Sequence, residues 1–383
     1  PDIELHPSDK AASFSLVLKG TSDSRTTAYK DPARIYGSSH SEFTARKRLE
    51  ITANGLRALA AEVKVHETNN EILGADTDVG GLFAGMARNT AMKKARERIP
   101  DAEALAARRV RERVASRLNQ EVDASVTSIN RRLRQGPGAA LEQHGLGPAS
   151  LAAHSTSKEL VVEASLLFAN QLAAGSPPAA LPKGARAVVQ IHESAVNNAI
   201  DQLGLAGQTI EGAHVRERIA QALAPVFGTS VKLPDDPEQQ APEGSITFAA
   251  RAPLRVRFVD GQIEVILHAA SLQRGNLKTP AQVIRARYQP VLAENRVTLR
   301  RQGDVEIRAA EISPEVVSIS LQGFAAARDA AIGAALRAPM DRVFRPQINS
   351  PKAFTITTEL GNVVPLEVTA LESRDGWLTL AVR

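Results

Sequence analysis

One block of this sequence occurs twice: strand-like segments lead into a long amphipathic helix, which is followed by further strand-like sequence. The first helix is predicted over residues 101–134 and the second over residues 321–345. In the first, apolar residues recur every three or four positions and share one face, with arginine and glutamate on the others. Such a helix has to bury its stripe against another layer, so the repeated block limits the chain to folds that pair long helices with sheet.

Most of the remaining strand-like segments follow one another directly. Asn54-Gly55 and Asp260-Gly261 lie between such segments, and Asp375-Gly376 lies at the last turn. Asn-Gly and Asp-Gly pairs favour two-residue hairpin turns. Directly joined strands indicate antiparallel sheet rather than alternating parallel units. We therefore predict the α+β class, with each long helix lying along a curved antiparallel sheet.

Prolines and glycines between residues 175 and 184 mark a linker between the two copies. A chain of 383 residues also exceeds the usual size of one compact domain. We predict a partial N-terminal domain over 1–155, a central strand and Pro-rich linker over 156–184, and a complete C-terminal domain over 185–383. The first copy has no opening helix, whereas the second begins with a helix predicted over 192–203.

The composition argues against several classes of function. Aromatic residues make up 4% of the chain, too few for a surface that stacks bases or sugars. The net charge is +5, from 47 basic and 42 acidic residues, so most charges are expected on a solvated surface. Basic residues cluster at Arg46, Lys47 and Arg48, and again within 108–113 and 131–134, but Glu103 and Glu112 dilute the helical cluster. Nucleic-acid binding is not favoured.

No sequence motif for a cofactor or a metal is present. Without cysteine, the chain cannot form disulfides, thiolate zinc sites or cysteine nucleophiles. The eight histidines lack metal-ligand spacing, and there is no phosphate loop or dinucleotide fingerprint. No apolar run approaches the roughly 20 residues of a membrane helix. We predict a protein that is not an enzyme, with no cofactor and no metal.

Three local patterns invite a functional interpretation, and each also has a structural one. His192-Glu193-Ser194 lacks both the second histidine of a zinc helix and the small-residue elbow of a serine hydrolase. A helix start is predicted there, with His192 capping or packing. Asn197 and Asn198 are predicted to bond neighbouring backbone or a strand edge, since asparagine is a mediocre helix former. Residues 76–78 resemble a fragment of a calcium loop but lack the remaining ligands, so a turn is predicted.

The apolar helix stripes are the candidate ligand-binding residues. They either fill a core against the sheet or line a gap that holds lipid, and periodicity alone does not separate these alternatives. The candidate lipid-binding residues are Val114, Leu118, Val122, Val126, Ile129, Val196, Ile200, Val215, Ile219, Leu223, Phe227, Phe324, Ile332 and Leu336.

The order of elements resembles a known family. A central strand at 160–164, the prolines Pro177 and Pro178, and then strand and helix over 188–198 are similar to the centre of the bactericidal/permeability-increasing, lipopolysaccharide-binding and lipid-transfer proteins, the tubular lipid-binding superfamily. The chain end, from Arg345-Pro346 to Arg383, is similar too. The resemblance implies two elongated domains joined by a central sheet, with apolar pockets between helix and sheet that take acyl chains.

Two functions follow as hypotheses. The first is non-enzymatic binding of lipid or another long apolar ligand by an exported bacterial protein. The second is a structural subunit of a cell-envelope assembly, in which the same fold contacts protein partners. The chain opens at Pro1 without an initiator methionine. We therefore expect that an export signal has been removed and that the protein lies in the periplasm or cell envelope.

Overall fold

The structure is a computed structural model that describes residues 2–31, 33–78, 84–135, 150–167, 171–212, 214–215, 244–293, 296–310, 322–349, 355–357 and 362–383. The chain divides into two compact units. Unit 1 comprises Pro1–Leu133 and Ser150–Ala164, and unit 2 includes Ser165–Arg383. The fold is α+β, and every strand pairing among the described residues is antiparallel. This agrees with the predicted class, whereas the three-part domain division stays a prediction.

Unit 1 is built on a five-stranded sheet in the order β1-β2-β3-β4, with β5 also pairing with β3. Its strands are β1 (Asp2–His6), β2 (Ala12–Lys30), β3 (Ala33–Thr52), β4 (Gly55–Ala58) and β5 (Glu62–Thr77). A separate two-stranded pair is formed by β6 (Ser150–Ser155) and β7 (Leu160–Ser165). The predicted Asn54-Gly55 hairpin turn joins β3 to β4, and Gly55 has a φ of 109°, which favours glycine.

Two helices follow the sheet of unit 1: α1 (Ala84–Glu97) and α2 (Ile99–Gln135). The second begins where the sequence predicts, with Pro100 near its start and Asp101 in its first turn. Polar side chains attach α2 to the sheet at three places. The backbone N–H of Asn70 donates to Glu103 Oε1 at 3.1 Å, and Asn130 bonds both the N–H and the C=O of Leu56 at 2.9 and 2.8 Å.

The third attachment centres on a buried lysine. Lys47 is only 1% exposed, and its ammonium donates to Asn119 Oδ1 at 2.6 Å and lies 2.9 Å from Asp123 Oδ1. Asn119 Oδ1 also accepts the backbone N–H of Ala61 at 2.9 Å. Lys47 is therefore an exception to the expectation that most charges are solvated, because alternate residues of a strand point to opposite faces and this one points at α2.

Unit 2 contains a nine-stranded sheet with the main order β17-β15-β14-β12-β10-β9, to which β11, β13 and β16 are added. Three smaller strands form the sheet β20-β21-β8, and β18 pairs with β19. The strands are β8 (Ala187–His192), β9 (Thr209–Glu211), β10 (Ser245–Phe248), β11 (Leu254–Val259), β12 (Gln262–Arg274), β13 (Leu277–Lys278), β14 (Gln282–Ala293), β15 (Arg296–Arg301), β16 (Glu306–Ala309), β17 (Gln347–Asn349), β18 (Thr355–Thr357), β19 (Val363–Pro365), β20 (Val368–Arg374) and β21 (Trp377–Val382). The helices are α3 (Glu193–Asp201) and α4 (Gln322–Val343).

The core of unit 2 is filled by alternate residues of its strands and one side of each helix. Ile284, Ala286 and Tyr288 of β14 are nearly inaccessible, as are Ile200 of α3 and Leu336 of α4. Burial of these side chains supplies most of the stabilisation of a domain of this kind. Helix α4 continues through Pro339.

The start of α3 confirms the structural interpretation of His192-Glu193-Ser194. His192 is the N-cap residue, and its Nδ1 accepts the backbone N–H of Ser194 at 3.1 Å. Its ring also meets the Trp377 ring edge-on, with centroids 4.9 Å apart. The two asparagines bond backbone as predicted: Asn197 pairs with the N–H and C=O of Val256, and Asn198 donates to the C=O of Leu166.

The cap at His192 predicts a pH dependence of stability. Burial lowers the pKa of His192 below its ordinary value of 6.5. Below about pH 6.5 the unfolded chain therefore binds more protons at this residue than the folded chain does. As the pH is lowered further, the free energy of unfolding decreases until the folded-state pKa is reached. In His192→Asn, which keeps an acceptor for the Ser194 N–H, we expect a smaller drop in melting temperature on acidification. Thermal unfolding of both proteins across this pH range measures it, and equal drops would contradict the prediction.

Candidate functional site

A large cavity in unit 1 lies between the helices and one face of the sheet. Its volume is about 1420 Å³, and its walls come from β2, β3 and β5 on one side and from α1 and the first turns of α2 on the other. Binding pockets for small molecules commonly measure about 300–1,000 Å³, so there is room for a ligand of substantial size. By contrast, the pocket beside α4 in unit 2 measures about 30 Å³.

The cavity exists because both of its walls carry small side chains. On the sheet, alternate residues of β2 face it, namely Ser22, Ser24, Thr26 and Ala28. Alanines line the opposite wall, on the two helices. Within each helix they are four residues apart and therefore lie on one face of that helix. These alanines are Ala87, Ala91, Ala95, Ala102 and Ala106. Leucine or phenylalanine at such positions would close the gap between helix and sheet.

The helix side of the cavity is incompletely shielded from water. None of the side chains of α1 is fully buried. Three large apolar side chains that line the cavity are strongly exposed: Tyr29 at 73%, Met86 at 70% and Leu105 at 48%. Exposed apolar surface is a common property of ligand-binding grooves, and this surface is continuous with the cavity wall.

The charged residues around the cavity are predominantly basic. Five basic and three acidic residues line it. The basic residues are Arg25, Lys94, Arg98, Arg109 and Arg113, and the acidic ones are Asp31, Glu71 and Glu97. None of the five cations is within ion-pair distance of an acidic side chain in the described part of the chain. The surroundings therefore favour a ligand that carries negative charge.

One cross-strand row of the sheet wall is polar. Ser24 of β2 pairs with Ser39 of β3, which pairs with Asn70 of β5, so the three side chains lie side by side. In the adjacent row on one side, Thr26 pairs with Gly37, which pairs with Ile72, and beyond that row lie Ala28 and Ile35. The sheet wall therefore changes from hydrogen-bonding to apolar toward the hairpin that joins β2 to β3.

The predicted lipid-binding residues are distributed over both units. Val114 lines the cavity, whereas Leu118, Val122 and Val126 are half-buried elsewhere on α2 and Ile129 is 38% exposed. In unit 2 the predicted residues belong to the packed core or border it: Val196, Ile200, Val215, Leu336 and Ile332. The side chains of Ile219, Leu223, Phe227 and Phe324 lie outside the described residues. The role of these residues in lipid binding stays a prediction.

Apart from Val114, the residues that line the cavity were not predicted, because the sequence prediction relied on large apolar side chains. A gap between helix and sheet is instead indicated by small side chains: alanines on one face of a helix, and serine and threonine at alternate positions of a strand. Both signals are present in the sequence, at 87–106 and at 22–28.

The predicted turn at 76–78 is wrong for its first two residues, since Asp76 and Thr77 end β5. The Asp76 carboxylate lies 3.8 Å from Arg88, and Asp78 lies 3.5 Å from Arg34, so arginines are the neighbours of both carboxylates. In the described ranges, no group of three or more histidine, aspartate or glutamate residues could hold a metal ion. No helix among those ranges is long and apolar enough to cross a membrane.

Comparison with solved structures gives a remote likeness of fold. No protein-family model and no curated protein matches this sequence. Among solved structures, the chain is similar to the crystal structure of lipopolysaccharide binding protein, with a TM-score of 0.36 and 12% sequence identity. The match covers 99% of this chain and 83% of that one. Membership of that family stays a proposal.

Proposed function

We propose that unit 1 binds, without chemical conversion, an amphiphile with a long apolar body and an anionic group. The observation that carries this proposal is the cavity of about 1420 Å³ between α1, α2 and the sheet. A fully packed domain leaves few voids larger than a water molecule. A gap of this size, with small side chains on both walls, is best explained by a ligand that fills it.

The driving force in this proposal is burial of apolar surface. Each methylene group removed from water contributes roughly 0.8 kcal/mol, so burial of about ten methylenes along the alanine wall corresponds to micromolar binding. The five basic residues at the cavity then favour a carboxylate or phosphate at one end of the ligand. In the finer form of the proposal, each unit is a long helix wrapped by a strongly curved sheet, as in tubular lipid-binding proteins.

Two measurements on the purified chain test the proposal. Native mass spectrometry after gentle purification is expected to show a bound lipid mass, and a fluorescent fatty acid is expected to bind saturably. Binding of the fatty acid should weaken as ionic strength rises, because exposed cations are screened by salt. If no bound lipid is detected and no fatty acid binds, the proposal is wrong.

The alternative is a structural subunit of a cell-envelope assembly, and one observation favours it. Strand β7 pairs only with β6 in the part of the chain that the structure describes, and its Leu160 and Val162 are 38% and 50% exposed. An exposed apolar edge strand is a common site for pairing with another chain. Sedimentation at high protein concentration separates the two functions, because a chain that stays monomeric contradicts the structural role.

A further inference from the structure

The polar row of the sheet wall, Ser24, Ser39 and Asn70, is out of place in a site for a plain acyl chain. Adjacent strands lie about 4.8 Å apart, so the row extends roughly 10 Å across the cavity floor. The opposite wall, on α1 and α2, is lined by alanines. A ligand in this cavity therefore meets hydrogen-bonding groups on one side and methyl groups on the other.

The polar groups of this row lack partners within the protein. Ser39 is 9% exposed, whereas Ser24 at the end of the row is exposed, and neither hydroxyl bonds another described residue. Asn70 Oδ1 is buried and has no hydrogen-bond partner among the described residues either. In the next row along the sheet the corresponding hydroxyls do pair, since Ser41 and Thr68 are 3.1 Å apart. Unpaired hydroxyl and amide groups therefore lie side by side in the row formed by Ser24, Ser39 and Asn70.

The unpaired hydroxyl of Ser39, at a buried site, imposes a requirement on the ligand. When an apolar chain displaces water from Ser39, the hydroxyl loses its hydrogen bonds and gains none, which costs free energy. A ligand hydroxyl restores them, because serine both donates and accepts and the amide oxygen accepts. A charged group at this point is less suitable, since the row contains no charge to pair with it.

We propose that the ligand of unit 1 carries a hydroxyl group within its apolar body, and that this hydroxyl bonds to the row formed by Ser24, Ser39 and Asn70. The proposal rests on the proposed function, because it assumes that an amphiphile occupies the cavity. It adds a specificity: hydroxylated acyl chains are preferred over saturated ones of equal length.

The test compares stearate with 10-hydroxystearate and 12-hydroxystearate in calorimetric titrations of the whole chain. We expect at least one hydroxylated acid to bind roughly five- to tenfold more tightly than stearate, the gain of one or two net hydrogen bonds. A simple apolar pocket gives the opposite order, because a hydroxyl makes transfer from water less favourable.

The double variant Ser24→Ala/Ser39→Ala assigns the preference to the row. It is expected to bind stearate at least as tightly as the wild-type chain, which also shows that it folds, and to lose the preference for the hydroxylated acids. Thr27→Ala is the matched control, because Thr27 lies on the same strand, is exposed and does not line the cavity.

The outcomes separate the two proposals. If stearate binds but neither hydroxylated acid binds more tightly, the hydroxyl preference is wrong and the proposed function stands. If the preference persists in the double variant, the assignment to Ser24 and Ser39 is wrong. If none of the three acids binds, the proposed function fails, and the preference fails with it.

Discussion

Replacing Asn119 with leucine is expected to lower the free energy of unfolding of unit 1 by about 3 kcal/mol. The substitution keeps the approximate shape of the side chain but removes the oxygen that accepts from Lys47 Nζ and from the Ala61 N–H. Lys47 is 1% exposed, so its ammonium cannot regain those contacts from water. Chemical denaturation, with hydrogen exchange of amides in β3 and α2 to assign the transition to unit 1, measures the loss.

Two further variants test whether the loss of stability in Asn119→Leu comes from the buried ammonium of Lys47. Gln120→Leu places the same side chain at the next, exposed position of α2 and is expected to change stability by less than about 0.5 kcal/mol. Adding Lys47→Met to Asn119→Leu removes the buried charge and should recover part of the loss, since breaking a buried polar pair costs more than replacing both partners. Additive losses in the double variant would show that Lys47 and Asn119 do not act together.

The sequence predicts the elements of this fold well where local chemistry decides them. The hairpin at Asn54-Gly55 depends on a residue pair whose turn preference is strong on its own. The long helix α2 is equally predictable, because its apolar period continues over many turns. In both cases the preference that selects the element lies within the segment itself.

The tertiary features were less predictable because their causes are split between distant segments. In the cluster 46–48, strand alternation alone indicates that the middle residue faces away from its neighbours. Only the fold brings Asn119 and Asp123 to Lys47, so the sequence gives no reason to bury a lysine there. The cavity is a similar case, since the alanines of α1 and the serines of β2 become a gap only when they face each other.

Filling the cavity is expected to have the largest effect on binding. Ala91 of α1 and Ala106 of α2 both line it, so the double variant Ala91→Trp/Ala106→Trp puts two indoles in the space of the proposed ligand. If this excludes even three methylene groups from burial, it costs about 2.4 kcal/mol, or roughly a 50-fold loss of affinity for a fluorescent fatty acid. Fluorescence titration measures the affinity, and circular dichroism checks that the helices are retained.

The matched control is Ala104→Trp, because Ala104 is exposed on α2 and does not line the cavity. We expect the control to bind the fatty acid with wild-type affinity. The double variant should also be no less stable than the wild-type chain in the absence of ligand, since tryptophan in a large gap adds buried apolar surface without displacing packed neighbours. Wild-type affinity in a folded double variant would place the binding site elsewhere in the chain and contradict the assignment to unit 1.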